Sequence, residues 1–175
     1  MQTAPRIDKE RRASDLRKEI QGLMEKNHLN LCLECGKCSA VCPMVNFYGE
    51  YVHTRGTRSV VERLYFDPEN IDDEALWYCW ACMECTFYCP SGVDFQNFMM
   101  GFRQLLVAHG YSEYAHFCKV CGTYLMPKKQ LECLKTTLGS SNGNLELLYE
   151  CPNCKKGRFG NNMARVGGFI WRSNR

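Results

Sequence analysis

CLECGKCSAVCP, residues 32–43, and CWACMECTFYCP, residues 79–90, carry one pattern, C-x2-C-x2-C-x3-C-P. This is the bacterial run that ligates [4Fe–4S] clusters. Three thiolates two residues apart wrap a short loop around one face of a cubane and reach three of its irons. The fourth Cys sits too far round the following turn to close the same cage and crosses to the other. The spacing therefore predicts one cluster on Cys32, Cys35, Cys38 and Cys89, and a second on Cys79, Cys82, Cys85 and Cys42. Pro43 and Pro90 each remove a backbone donor and turn the chain away from helix. Zinc sites use paired CxxC or Cys/His sets, rarely one run of this kind twice, so the doubled pattern points to iron–sulfur.

A second pattern lies downstream. Cys118 and Cys121 precede Gly122, and Cys151-Pro152-Asn153-Cys154 follows after a gap. Two CxxC knuckles make a tetrahedral S4 site. The spacing suits a zinc ribbon and equally a rubredoxin-type iron. The segment lacks the strong acidity usual around a rubredoxin iron, which favours Zn2+ and leaves Fe open. Cys133 is left over and is expected in the loop between the knuckles, with no assigned role.

Outward from these motifs the chain reads as helix. Leu16, Ile20, Leu23 and Met24 share one helical face in residues 1–30, either packing on their own domain or docking a partner. Arg58 to Tyr65 reads as a helix broken by Asp67-Pro68, and Asp72-Asp73 opens a short helix that delivers Cys79. Asp94 caps a helix over Phe95 to His109, with Phe95, Phe98, Met99, Phe102, Leu105 and Leu106 at three/four spacing and Gly110 ending it. Within LGSSNGN, residues 138–144, Asn142-Gly143 reads as a hairpin turn, and Leu145, Leu147 and Tyr149 alternate as a strand into the second knuckle.

The expected architecture is mostly α: an α-helical ferredoxin followed by a small β zinc-ribbon-like module. The expected divisions are an N-terminal docking helix over 1–30, a dicluster domain over 31–110, a zinc-ribbon-like module over 111–155 and a basic tail over 156–175.

Composition sets the outer bounds. The chain has 175 residues and 13 Cys, with 22 Lys+Arg against 19 Asp+Glu. No apolar run approaches a membrane span, and the charged N-terminus has no apolar signal core, so a cytoplasmic location is expected. Thiols in that compartment hold metals rather than a disulfide framework. Three thiolate-bound metal sites at about −2 each bring the nominal +3 to about −3. Positive charge concentrates in the tail, where Lys155, Lys156, Arg158, Arg165, Arg172 and Arg175 meet no acidic residue. Nucleic acid is an improbable partner, because these basic residues lack a regular aromatic platform. The four His, at 28, 53, 109 and 116, have no metal-ligand spacing. No GxGxxG and no CCG cluster occur, so neither a nucleotide site nor a disulfide-cleaving centre is indicated on this chain.

CLECGKCSAVCPM, the helical spacer and WYCWACMECTFYCPSGVDF together resemble the small iron–sulfur subunit of heterodisulfide reductases, over about residues 15–110. The resemblance implies an electron-transfer subunit with no active site of its own. Its partners would be a flavin-containing iron–sulfur subunit and a catalytic subunit with CCG modules. The knuckle module and the basic tail depart from the usual short pattern. The iron–sulfur subunit of another flavin-dependent dehydrogenase, of succinate or glycolate type, is the alternative.

Overall fold

The computed structural model describes residues 6–49, 55–66, 71, 73–139 and 145–160. Two helices form its spine, α1 (Arg6–Lys26) and α6 (Phe95–Ala108). The expected face of α1 is the inner one: Leu16, Ile20 and Met24 are buried. The helix ends where the Asn27 side-chain amide donates to the Leu23 carbonyl at 2.8 Å and His28 turns left-handed at φ 61°. Asn27 also accepts the Asp94 N–H at 3.0 Å, tying the end of α1 to the start of α6.

Asp94 caps α6 as its position predicts, its carboxylate accepting the Asn97 N–H at 3.2 Å. Phe95, Phe98, Met99, Phe102 and Leu106 are buried against α1. Fully burying side chains of this size contributes ~1.5–3 kcal/mol each. Gly101 lets the two helices approach, since a Cβ there would lie 2.9 Å from Leu23 Cδ1. Gly110, at φ 93°, stops the helix.

Between these helices come α2 (Lys37–Ala40), α3 (Met44–Phe47), α4 (Thr57–Phe66) and α5 (Glu84–Phe87). α4 is the expected helix and adds Val60, Val61 and Leu64 to the core. The break assigned to Asp67-Pro68 lies outside the described residues. A 3-10 turn over Glu74–Trp77 starts where the Asp73 carboxylate accepts the Ala75 N–H at 2.8 Å. It buries Trp77 completely and delivers Cys79.

The C-terminal part opens with an antiparallel pair, β1 (Ala115–Phe117) and β2 (Tyr124–Pro127), with a bulge between His116 and Phe117. The fold class is as expected, mostly helical with one small sheet, but the inside of the module differs. α7 (Lys128–Gly139) fills most of the span between the knuckles, expected to be β, and runs up to the segment read as a hairpin turn. The expected strand at Leu145, Leu147 and Tyr149 is a 3-10 turn; among the described residues no strand pairs with these five, and unpaired they gain nothing from extending. The Asn142-Gly143 turn lies outside the described residues. The last helix among the described residues, α8, spans 152–160 and takes in the start of the segment read as a tail. Ala115, Phe117 and Tyr124 pack on the same core as Trp77, so the module is continuous with the helical part. No helix among the described residues is long and apolar enough to cross a membrane.

Candidate metal centres

The two cysteine runs fold alike. In the first loop Glu34 and Gly36 have φ of 52° and 73°; in the second, Ala81 and Met83 have 53° and 79°. Left-handed residues thus flank Cys35 and Cys82 at matching positions. Each loop then enters a four-residue helix, α2 or α5, and these two helices pack on one another. Alternating left- and right-handed turns aim successive N–H groups into a concavity that suits an anion such as a thiolate-bound cluster. Amide donors already meet sulfur: Ala81 N–H lies 3.3 Å from Cys79 Sγ, and Val93 N–H lies 3.4 Å from Cys89 Sγ. Gly36 is a sequence signal that could have marked the first turn; nothing about Met83 announces the second.

The loops also meet. Burial pushes the Cys79 thiol up, and the Cys42 and Cys82 thiols add to that; Arg103 opposes it. Burial pushes Cys85 up to about 12, with further contributions from Cys79, Cys82 and Cys38, against a hydrogen bond from Thr57 at the head of α4. Burial likewise raises Cys38, whose neighbours are Cys32 and Cys35. Thiols this costly to ionise become thiolates only where a cationic centre holds them. Eight thiols in two matched, donor-lined loops fit a pair of iron–sulfur clusters by donor chemistry.

Aromatic residues that the sequence did not mark shield this region. Phe47 stacks on Trp80 at 4.4 Å, and the Trp80 indole N–H donates to the Tyr48 hydroxyl. Met44, Tyr48 and Tyr78 form a second small core, against which Cys42 and Cys133 pack. Cys133 is therefore a helical residue of α7, 3.9 Å from the Phe47 carbonyl, and not a loop thiol.

The downstream cysteines come together as their spacing predicts. The Sγ atoms of Cys118, Cys121, Cys151 and Cys154 all lie within 4.8 Å of one another, with Cys121 and Cys151 at 3.6 Å. Tetrahedral thiolates around zinc stand ~3.8 Å apart. One pair sits on the β1–β2 knuckle, and the other leads into α8. Backbone N–H groups of Cys121, then Cys151 and Val120, push Cys118 down to about 6. Thr123 lowers Cys121 through its hydroxyl and its amide, whereas contacts with Cys151 and Cys121 raise Cys154. Lys119 ties the first knuckle to Glu146 at 2.7 Å, and Arg158 ties α8 to Glu150 at 3.1 Å. No His joins this site; His116 lies edge-on to Tyr149, and burial lowers its pKa.

A helical core presenting two matched cysteine loops, with a separate S4 cage, defines an iron–sulfur protein carrying an extra four-cysteine module able to hold a metal. The chain belongs to the 4Fe-4S dicluster domain family, whose model matches residues 6–93. It is 28% identical over 100 residues to a protein of Archaeoglobus profundus named for its likeness to a heterodisulfide reductase subunit, covering 55% of this chain and 52% of that protein. It is 32% identical over 87 residues to the CoB–CoM heterodisulfide reductase iron-sulfur subunit of Methanopyrus kandleri, covering 49% and 43%. The glycolate oxidase iron-sulfur subunit of Escherichia coli is 26% identical over 88 residues, covering 49% and 22%. The chain thus spans about half the length, or less, of these relatives. No solved structure gives a significant match.

Proposed function

We propose that the chain is the electron-transfer subunit of a heterodisulfide reductase-like complex, standing between a flavin-containing iron–sulfur subunit and a CCG-type catalytic subunit. The observation that carries this reading is the pair of matched loops, each with left-handed turns around its second cysteine and each packed on the other through α2 and α5. Cys32, Cys35, Cys38 and Cys89 would hold one [4Fe–4S] cluster, and Cys79, Cys82, Cys85 and Cys42 the other. The effect of Cys42 on Cys79 supports the exchange of fourth ligands. When bound, each cluster supplies a site that gains and loses one electron. The chain's own residues hold the thiolates, donate N–H groups to sulfur and, through the buried Tyr48 and Tyr78 packed beside Cys42, keep water away.

The S4 cage would hold Zn2+, with Fe as the other candidate, and would fix the C-terminal module without taking part in electron transfer. Cysteines committed to metal ligation rather than to disulfides suit a cytoplasmic location. The likeness to the glycolate oxidase subunit supports a second reading, a relay for another flavin-dependent dehydrogenase. Anaerobic purification from the native host, with identification of co-eluting chains, decides between them. A CCG-module chain together with a flavin-containing iron–sulfur chain supports the first. A 2-hydroxy acid dehydrogenase flavoprotein as sole companion overturns it.

A further inference from the structure

Arg103 breaks the apolar stripe of α6. It stands four residues after Met99 and three before Leu106, and is only 3% exposed. Charged side chains are rarely buried this far without a partner of opposite sign. No carboxylate among the described residues lies within ion-pair reach of it. Its Nη2 instead donates to the Leu76 carbonyl at 3.0 Å and to the Cys79 carbonyl at 2.6 Å. It lies 5.7 Å from the Trp77 ring centroid, and its Nε has no acceptor. A buried guanidinium held only by neutral groups leaves a net positive field inside the core. That field reaches the Cys79 sulfur.

We infer that Arg103 is the internal counter-charge of the cluster on the Cys79 loop, and that it makes this cluster the easier of the two to reduce. The inference rests on the two-cluster reading above. A [4Fe–4S] cluster with four thiolates is anionic, and one added electron makes it more so. A fixed cation in a poorly screened interior therefore stabilises the reduced form more than the oxidised one. Among the described residues the first loop has no buried cation equivalent to Arg103. Arg58 beside that loop is part-exposed and already engaged by Glu62 at 2.7 Å and Glu34 at 3.5 Å, so solvent and those carboxylates screen its charge. Arg55 and Lys129 near Tyr78 add positive charge on the second loop's side, but Lys129 is drawn to Glu74 at 3.7 Å.

The test is an anaerobic redox titration of the intact protein followed by electron paramagnetic resonance, with Cys82→Ser used to assign the Cys79-loop signal. In the unaltered protein the Cys79-loop cluster is expected at the higher potential. Arg103→Met should lower its reduced-to-oxidised ratio about tenfold at the native midpoint, a shift of ~59 mV for one electron. The other cluster should not move, and Arg103→Lys should stay close to the native value. Unmoved midpoints in an iron-replete Arg103→Met protein overturn the inference, as does a Lys variant that behaves like Met. Should Arg103→Met fail to fold, the order of midpoints in the unaltered protein decides, and a Cys79-loop cluster at the lower potential overturns it. Unaltered protein lacking a second cluster overturns the two-cluster reading itself and is recognised from its iron content.

Discussion

Glu34 and Ala81 adopt the same left-handed backbone, φ 52° and 53°, at the residue before the second cysteine of each loop. Neither residue type favours that conformation, and its cost is of order 1–3 kcal/mol per residue. Two separate stretches accept the same strain at the same place, which is what two copies of one cluster-holding loop require.

The exchange of fourth ligands is open to direct attack. Cys89→Ser should damage the cluster whose other ligands are Cys32, Cys35 and Cys38, and leave the Cys79-loop signal in place. Spectroscopy showing loss of the Cys79-loop cluster alone would make each run self-contained.

Met83 takes φ 79° where the first loop has Gly36, and its side chain is half exposed. Met83→Gly should therefore remove strain without opening a cavity, and stabilise the cluster-loaded protein by ~1 kcal/mol in anaerobic denaturant unfolding. A loss of stability would mean that the side chain is needed where it stands.

The close approach of α1 and α6 predicts a cost for any branched side chain at 101. Gly101→Val should destabilise by about 1–3 kcal/mol, since a Cβ already meets Leu23 Cδ1 at 2.9 Å and two methyls would follow it. Thermal unfolding reads the effect, and truncation at Leu23→Ala in the same chain should recover part of it.

What the sequence made legible was set by spacing. Cysteine intervals marked all twelve candidate ligands, and Asp94 with the Phe95, Phe98 and Phe102 stripe marked α6, because capping and periodicity are local. Arg103 was passed over because its charge hid that it falls on the same buried face. α7 was missed for a similar reason. Leu131, Leu134 and Leu138 stand at helical spacing after Pro127, but the Asn142-Gly143 signal nearby drew the reading toward a hairpin. The left-handed turn at Met83 had no local sign at all, since it follows from the shape the loop must take around its centre.

The S4 cage should lose its metal on the acid side. Cys118 is held down at about 6 by backbone donors, against 9.0 for a free thiol. The stabilisation from keeping this thiolate is complete above the free value and is lost as pH falls through about 6. A zinc-binding dye should therefore extract the C-terminal metal increasingly as the pH is lowered on the acid side, and not on going from pH 7 to 9. Release on the alkaline side would show that Cys118 does not control the site.

The measurement that bears most directly on the whole account is the metal content of anaerobically isolated, natively folded protein, read with its electron paramagnetic resonance after reduction. Two clusters and one cage predict about eight iron atoms and one zinc per chain, with two distinguishable reduced-cluster signals. Folded protein that is colourless and free of iron would contradict it.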